Sequence, residues 1–223
     1  MMRLVLPLAV LAGPALADAA LTLPPGCEAT LTVQERGCSV RVVMTCESDG
    51  PGVRRDLVFE QEGMTFMSTT DPEGQWLTSS FLASGGSEVL EDSPADRISM
   101  SNMLATGEDP YDFVMLSEEY GDTRYIGSDR LTGGQAVIDG VIMPYGEWGY
   151  VAYDAAGQEI FRSEGDEYVA TGWRIHLTGK SRTTYPDGSV EQLDYTPVDF
   201  ILPGEDGFLS PVPLYGCEEA ASR

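Results

Sequence analysis

CEATLTVQERGCSVRVVMTC, residues 27–46, carries the fold in miniature. Two runs rich in β-branched side chains, residues 28–34 and 39–46, flank Arg36-Gly37, a turn pair. Read as a hairpin with a two-residue turn, the stretch sets Cys27 directly across from Cys46, at a separation a disulfide bridges. The four cysteines allow three pairings, and this geometry selects Cys27–Cys46 with Cys38–Cys217. In the chain-entropy picture the long second loop constrains the unfolded chain by ~5 kcal/mol and the short first one by ~3 kcal/mol. The spacing has no C-x-x-C pair, and zinc frames need tighter ligand spacing. The cysteines read as structural staples, with no metal site expected.

The same grammar continues outward from the hairpin. Extended runs at 53–62, 64–70, 75–83, 111–117, 123–131, 136–143, 148–154, 159–163, 168–171, 173–185 and 190–196 are separated by turn chemistry. Asp71-Pro72-Glu73-Gly74 has the residues of a type I turn, Ser84-Gly85-Gly86-Ser87 closes another run, and Pro186-Asp187-Gly188-Ser189 is the sharpest turn signal. Closely spaced turns favour antiparallel pairing between sequence neighbours. Residues 148–153 are apolar at nearly every position, as in a strand covered on both faces. One helix is expected, capped by Ser93, with Pro94 at its first position and Gly107 ending it. The expected fold is mainly β: a single curved antiparallel sheet or partly open barrel with one short helix, stapled by disulfides. It forms one domain over residues 18–223, a size at which single β domains are common.

Residues 1–17 read as a cleaved signal peptide of bacterial type. Arg3 opens it, residues 4–11 form a short apolar run, and Ala15-Leu16-Ala17 is a small-x-small cleavage site. The run is shorter than the ~20 residues that span a bilayer, so no transmembrane anchor is expected. The expected location is periplasmic or secreted, where disulfides persist. There are 36 acids against 13 bases, a formal charge of −23. Such a balance excludes nucleic acid and anionic lipid surfaces as partners, because both need a basic face. It reads first as a solvated, self-repelling surface.

Signals for catalysis are sparse. His176 is the single histidine and Lys180 the single lysine. Ile175 and Leu177 flank His176 on the opposite face of an extended run, which groups it with Arg174, Thr178 and Lys180 in a row that reads as solvent-facing. No G-x-S-x-G elbow, P-loop or dinucleotide fingerprint is present. The acids fall mostly in segments with turn composition, among them residues 163–167 and 204–207, and lack the alternating pattern of a calcium loop. No catalytic residue and no cofactor is assigned.

What remains is apolar. Phe59, Phe66, Trp76, Met100, Met103 and Trp148 are candidates to line a cavity for an apolar or lipidic ligand, with the helix as its lid. Tyr168-Val169, the Pro186-Asp187-Gly188 hairpin, and the stretch from Pro197 through Phe200-Ile201-Leu202-Pro203-Gly204 to Gly207-Phe208 resemble the end of periplasmic lipoprotein-carrier (LolA/LppX-like) β-folds. The likeness covers about the last third of the chain. It implies a half-open barrel whose concave face, plugged by helices, holds acyl chains. Such carriers open with a helix, whereas here a cysteine-framed hairpin follows the leader. The expected function is a non-enzymatic periplasmic protein that binds an apolar or lipidic ligand or serves the cell envelope. Two alternatives differ in class: an acidic scaffold with a filled core that meets an envelope protein partner, and a carboxylate-based hydrolase.

Overall fold

The hairpin forms as β1 (Cys27–Glu35) and β2 (Ser39–Cys46), and both disulfides pair as the spacing predicts, Cys27–Cys46 and Cys38–Cys217. The computed structural model describes residues 20–217; the signal peptide expected over residues 1–17 lies outside the described residues. The turn differs from expectation. Glu35 faces Ser39, so the loop holds three residues, with Cys38 in the left-handed region at φ 55°. A bulge between Ala29 and Leu31 takes up the extra residue and returns Cys27 to its place opposite Cys46.

Eleven further strands extend this pair. They are β3 (Arg54–Glu60), β4 (Gly63–Thr70), β5 (Trp76–Phe81), β6 (Gly86–Leu90), β7 (Glu108–Leu116), β8 (Thr123–Ile138), β9 (Val141–Tyr153), β10 (Glu159–Ala170), β11 (Ile175–Thr184), β12 (Val190–Asp194) and β13 (Pro197–Ile201). Among the described residues they form one antiparallel sheet in the order β12-β11-β10-β9-β8-β7-β6-β5-β4-β3-β2-β1-β13. Every strand pairs with its sequence neighbours except at the end, where β13 leaves β12 and returns to pair with β1; short connections join most of them, and a segment carrying a helix joins β6 to β7. The sheet is mainly β architecture in its plainest form, a meander that curls without closing.

The curl is visible in the packing. Leu31, Val33, Val43 and Phe200 from one end of the sheet share a buried cluster with Met143, Ala170, Ile175 and Leu177 from the other. A side chain of this kind gains about 1.5–3 kcal/mol on full burial, and Leu31, Val33 and Leu177 are completely buried. The outer face of β1 and β2 is covered too. Val40, Val42, Met44 and Leu57 lie beneath Phe208 and Leu209 of the C-terminal segment. The polar Thr32 and Gln34 are buried on this face because the same segment bonds them. Leu209 N donates to Thr32 Oγ1 at 3.0 Å, Leu214 N donates to Gln34 Oε1 at 2.9 Å, and Gln34 Nε2 donates to Val212 O at 3.0 Å.

Four local readings change. The helix α1 (Met100–Thr106) begins at Ser99, not Ser93, and ends at Gly107 (φ 90°) as expected. Residues before it are held extended: Asp96 bridges Asp112, and Ile98 N donates to Gln75 Oε1 at 3.0 Å. β6 occupies a segment that reads as turn; the Tyr120 ring lies over Gly86 so closely that an added Cβ would have to displace it. The run 136–143 is not one strand. Asp139 (φ 48°) and Gly140 (φ 75°) form a two-residue hairpin turn inside it, while the Gly133-Gly134 break is a bulge within β8. Finally, residues 163–167 are not a loop but the middle of β10, with a bulge between Gly165 and Glu167.

Among the described residues no helix is long and apolar enough to cross a membrane. Replacing Cys38 and Cys217 with Ala together should release the C-terminal segment first. The expected result is a loss of about 2–5 kcal/mol in urea unfolding and faster amide exchange at residues 207–217, with β8 to β10 unchanged in exchange. Equal loosening of every strand would show that the staple does not hold that segment locally.

Candidate functional site

Strand register decides which side chains share the inside of the curl. Asp56 pairs with Ser68, Ser68 with Ser79, and Ser79 with Glu88, so one polar row crosses β3 to β6. The next row carries Phe66 opposite Phe81. On the later strands Tyr125, Asp129, Trp148, Tyr150, Phe161, Glu167 and His176 face the same side. Together these residues line a cavity of about 400 Å³, within the range of small-molecule sites.

One part of the cavity is aromatic. Trp76 meets Phe113, Tyr125 and Tyr150 edge-on at centroid distances of 5.5, 5.3 and 6.0 Å. Trp148 stacks on Tyr150 at 5.5 Å, and Phe66 lies 5.3 Å from Phe81. Edge-to-face and offset contacts of this kind fix ring orientation. Trp148 Nε1 donates to Asp166 O at 3.1 Å, which anchors the indole in β9.

The other part is charged. His176 Nδ1 lies 2.5 Å from Glu167 Oε1 and 3.9 Å from Asp129 Oδ2. The Glu167 and Asp129 side chains are 5 % and 8 % exposed, that of His176 18 %. Arg54 Nε lies 3.8 Å from Asp56 Oδ2, and Arg54 Nη1 donates to Arg174 O at 2.7 Å. Arg41 Nε donates to Glu35 Oε1 at 3.1 Å, while Ser39 Oγ donates to Glu35 Oε2 at 2.6 Å. Five buried polar atoms in this region have no partner among the described residues: Arg54 Nε, Asp56 Oδ1, Thr70 Oγ1, Glu167 Oε2 and His176 Nε2. Unpaired buried groups cost free energy and are rare away from sites that use them.

Burial, reinforced by the Glu167 carboxylate, pushes the Asp129 carboxyl up to about 7, although His176 pulls against that shift. Burial opposes a charge on His176, but the hydrogen-bonded Glu167 and nearby Asp129 outweigh it and raise the imidazole above its ordinary value. Burial likewise holds the Tyr111 phenol protonated far above its usual range, with Asp129 beside it. Asp129, Glu167 and His176 offer one donor atom each within 4.8 Å of one another, a set a divalent transition metal accepts. Against a metal stand the His176 Nδ1 contact already made to Glu167 and the repelling charge of Arg54.

The Asp71-Pro72-Glu73-Gly74 turn closes one end of the cavity. Arg174 Nε donates to Pro72 O and Arg174 Nη2 to Glu73 Oε1, each at 2.7 Å. Glu73 Oε2 accepts Ser101 N at 2.8 Å and Ser99 Oγ at 3.0 Å, which ties the turn to the start of α1. Gly74 (φ 93°) sits against the His176 ring; an added Cβ would fall 2.8 Å from Cδ2.

Of the residues the sequence nominates, Phe66, Trp76 and Trp148 line the cavity. Phe59 does not: it alternates to the outer face and packs with Val40, Val42 and Leu57. Met100 and Met103 do not either, because they are fully buried between α1 and Val169 and fill the core there. Of the row read as solvent-facing, His176 and Thr178 face the cavity, since the curl makes that side of β11 the inside, while Lys180 is exposed as expected. Phe81, Tyr125, Tyr150 and Phe161 were legible only as strand residues, and Asp129 and Glu167 only as two acids among many.

No protein-family model, no curated protein and no solved structure matches this chain.

The charged cluster links stability to pH. Folded Asp129 keeps its proton to about pH 7, whereas an unfolded Asp loses it near pH ~3.9. Folding therefore takes up a proton in that window, and this contribution to stability falls as pH rises through it. His176, whose pKa is also raised, acts in the same direction above its ordinary value. Asp129→Asn should gain on the wild type as pH rises from 5 to 8, its Tm relative to the wild type rising by roughly 5–10 °C, the shift that roughly 2–3 kcal/mol gives in a domain of this size. A Tm difference that stays constant over that range would show that Asp129 does not titrate there.

Proposed function

We propose that this chain is an exported, non-enzymatic binding protein of the cell envelope whose cavity takes an apolar or lipidic small molecule. The observation that carries the reading is the cavity itself, about 400 Å³ and lined by Phe66, Trp76, Phe81, Trp148, Tyr150 and Phe161. Apolar walls with a few convergent polar groups are the usual build of a small-molecule site. Two disulfides fit an oxidising compartment such as the periplasm, in keeping with the leader read at residues 1–17. A pure scaffold has no use for an unfilled interior or for unpaired polar atoms inside it. The likeness to lipoprotein carriers points the same way.

A hydrolytic reading has one observation in its favour. Asp129 and Glu167 lie close together, and Asp129 holds its proton toward neutrality, as an acid–base pair requires. Both carboxyls are almost wholly buried, however, and Glu167 is already committed to His176. The cluster is better explained as a polar end that orients a guest.

Protein recovered from the periplasm should carry an apolar molecule at one per chain, seen by native mass spectrometry and released by organic solvent. Trp148→Glu should lose it while still folding. Met103→Glu should instead unfold the chain, because Met103 has no exposed surface. Recovery of empty protein that also ignores added long-chain ligands would overturn the binding reading.

A further inference from the structure

The charges lining the cavity do not balance. Arg41 is paired with Glu35, Arg54 with Asp56, and His176 with Glu167. Each cation inside the curl thus has its own acid. Asp129 shares the His176 cluster. Glu88 is left over: it lines the cavity, and among the described residues no basic side chain pairs with it. Register sets it at the β6 end of the polar row, across from Ser79. Tyr125 and Tyr150 line the same cavity, and the Glu88 charge adds to the burial that raises both phenols.

A carboxylate beside several aromatic rings, with no counter-ion of its own, is an arrangement that recognises a cation. Ring faces attract an ammonium group through their quadrupole, and the attraction grows when the group is desolvated. A formal charge of −23 draws cations toward the protein and repels anions. We propose that the cavity recognises an organic cation, an ammonium-bearing ligand with an apolar body, whose charged group sits between Glu88 and the rings of Trp76, Tyr125, Tyr150 and Trp148. The proposal rests on the reading of this cavity as a ligand site and names the ligand class.

The burial that makes Glu88 costly also makes it informative. Burial raises its carboxyl above the ordinary range, a Ser79 hydrogen bond pulls the other way, and a cation beside it would favour the ionised form. An acid kept there for stability alone would be better replaced by a neutral side chain.

Three probes of equal chain length separate the possibilities: decyltrimethylammonium, decanoate and decanol, each below its aggregation threshold. Binding is read by calorimetry and by the fluorescence of the indoles that line the cavity. The cation should bind about tenfold or more tighter than either of the others. Glu88→Gln should cut cation affinity about tenfold and leave decanol affinity unchanged, with Tm equal or higher. Glu62→Gln, which removes an exposed acid in a turn, controls for bulk charge and should change nothing. Trp148→Leu, a second variant with its own folding check, should weaken the cation more than decanol. Equal affinity for all three probes, or a cation affinity insensitive to Glu88→Gln, would overturn the cation assignment while leaving the cavity a ligand site. Failure of all three to bind would overturn both.

Discussion

Leu31, Val33 and Phe200 at one end of the sheet press against Ala170, Ile175 and Leu177 at the other, and from this contact the sheet acquires an inside. A meander of thirteen strands has no intrinsic reason to curl so far; native twist alone gives an open, propeller-like surface. The apolar faces at its two ends can leave water only by meeting each other. Once they do, the residues in line with Val43 on β3 and those alternating with Ile175 and Leu177 on β11 look inward, whatever their polarity. The cavity is therefore a consequence of end-to-end packing, and the charged side chains within it are placed there by register.

This explains which parts of the molecule were legible. Hairpins with turn residues of fixed stereochemistry, such as Pro186-Asp187-Gly188, announce themselves, and so does the Cys27–Cys46 frame, because the turn and the pairing are local. A continuous sheet with one short helix and two staples follows from these. Several of the strand misreadings arise where glycine breaks a pattern without breaking a strand. Gly133 and Gly134 sit in a bulge, Gly165 precedes one, and Gly86 yields to the Tyr120 ring. In each case the backbone pairing continues and only the side-chain pattern pauses.

The site was harder, for a different reason. Alternation correctly sets His176 with Thr178 and apart from Ile175 and Leu177. It cannot say which of two faces is the concave one, because both carry apolar and polar residues. Ile175 and Leu177 are buried by the opposite end of the sheet and His176 by the cavity, so both sides of β11 are covered. Glu167 was hidden by its neighbours: Ser163-Glu164-Gly165-Asp166-Glu167 has the composition of a loop, yet β9 and β11 hold it extended on either side.

Burying so many charges inside a protein already rich in acids has an energetic consequence. Each matched pair inside the curl can be roughly neutral in stability, but removing one partner leaves a desolvated charge that costs several times more, about 3–5 kcal/mol. The exterior meanwhile repels itself, which favours expansion of the sheet. Against this stand the end-to-end hydrophobic contact and the Cys38–Cys217 staple, which ties the hairpin tip to the C-terminal segment covering it. The staple and the contact act on the same end of the sheet, the one where β1 and β13 must stay folded over β11. A curl held from that end keeps its interior at fixed size, and a cavity of fixed size holds its aromatic rings and its unmatched carboxylate in register.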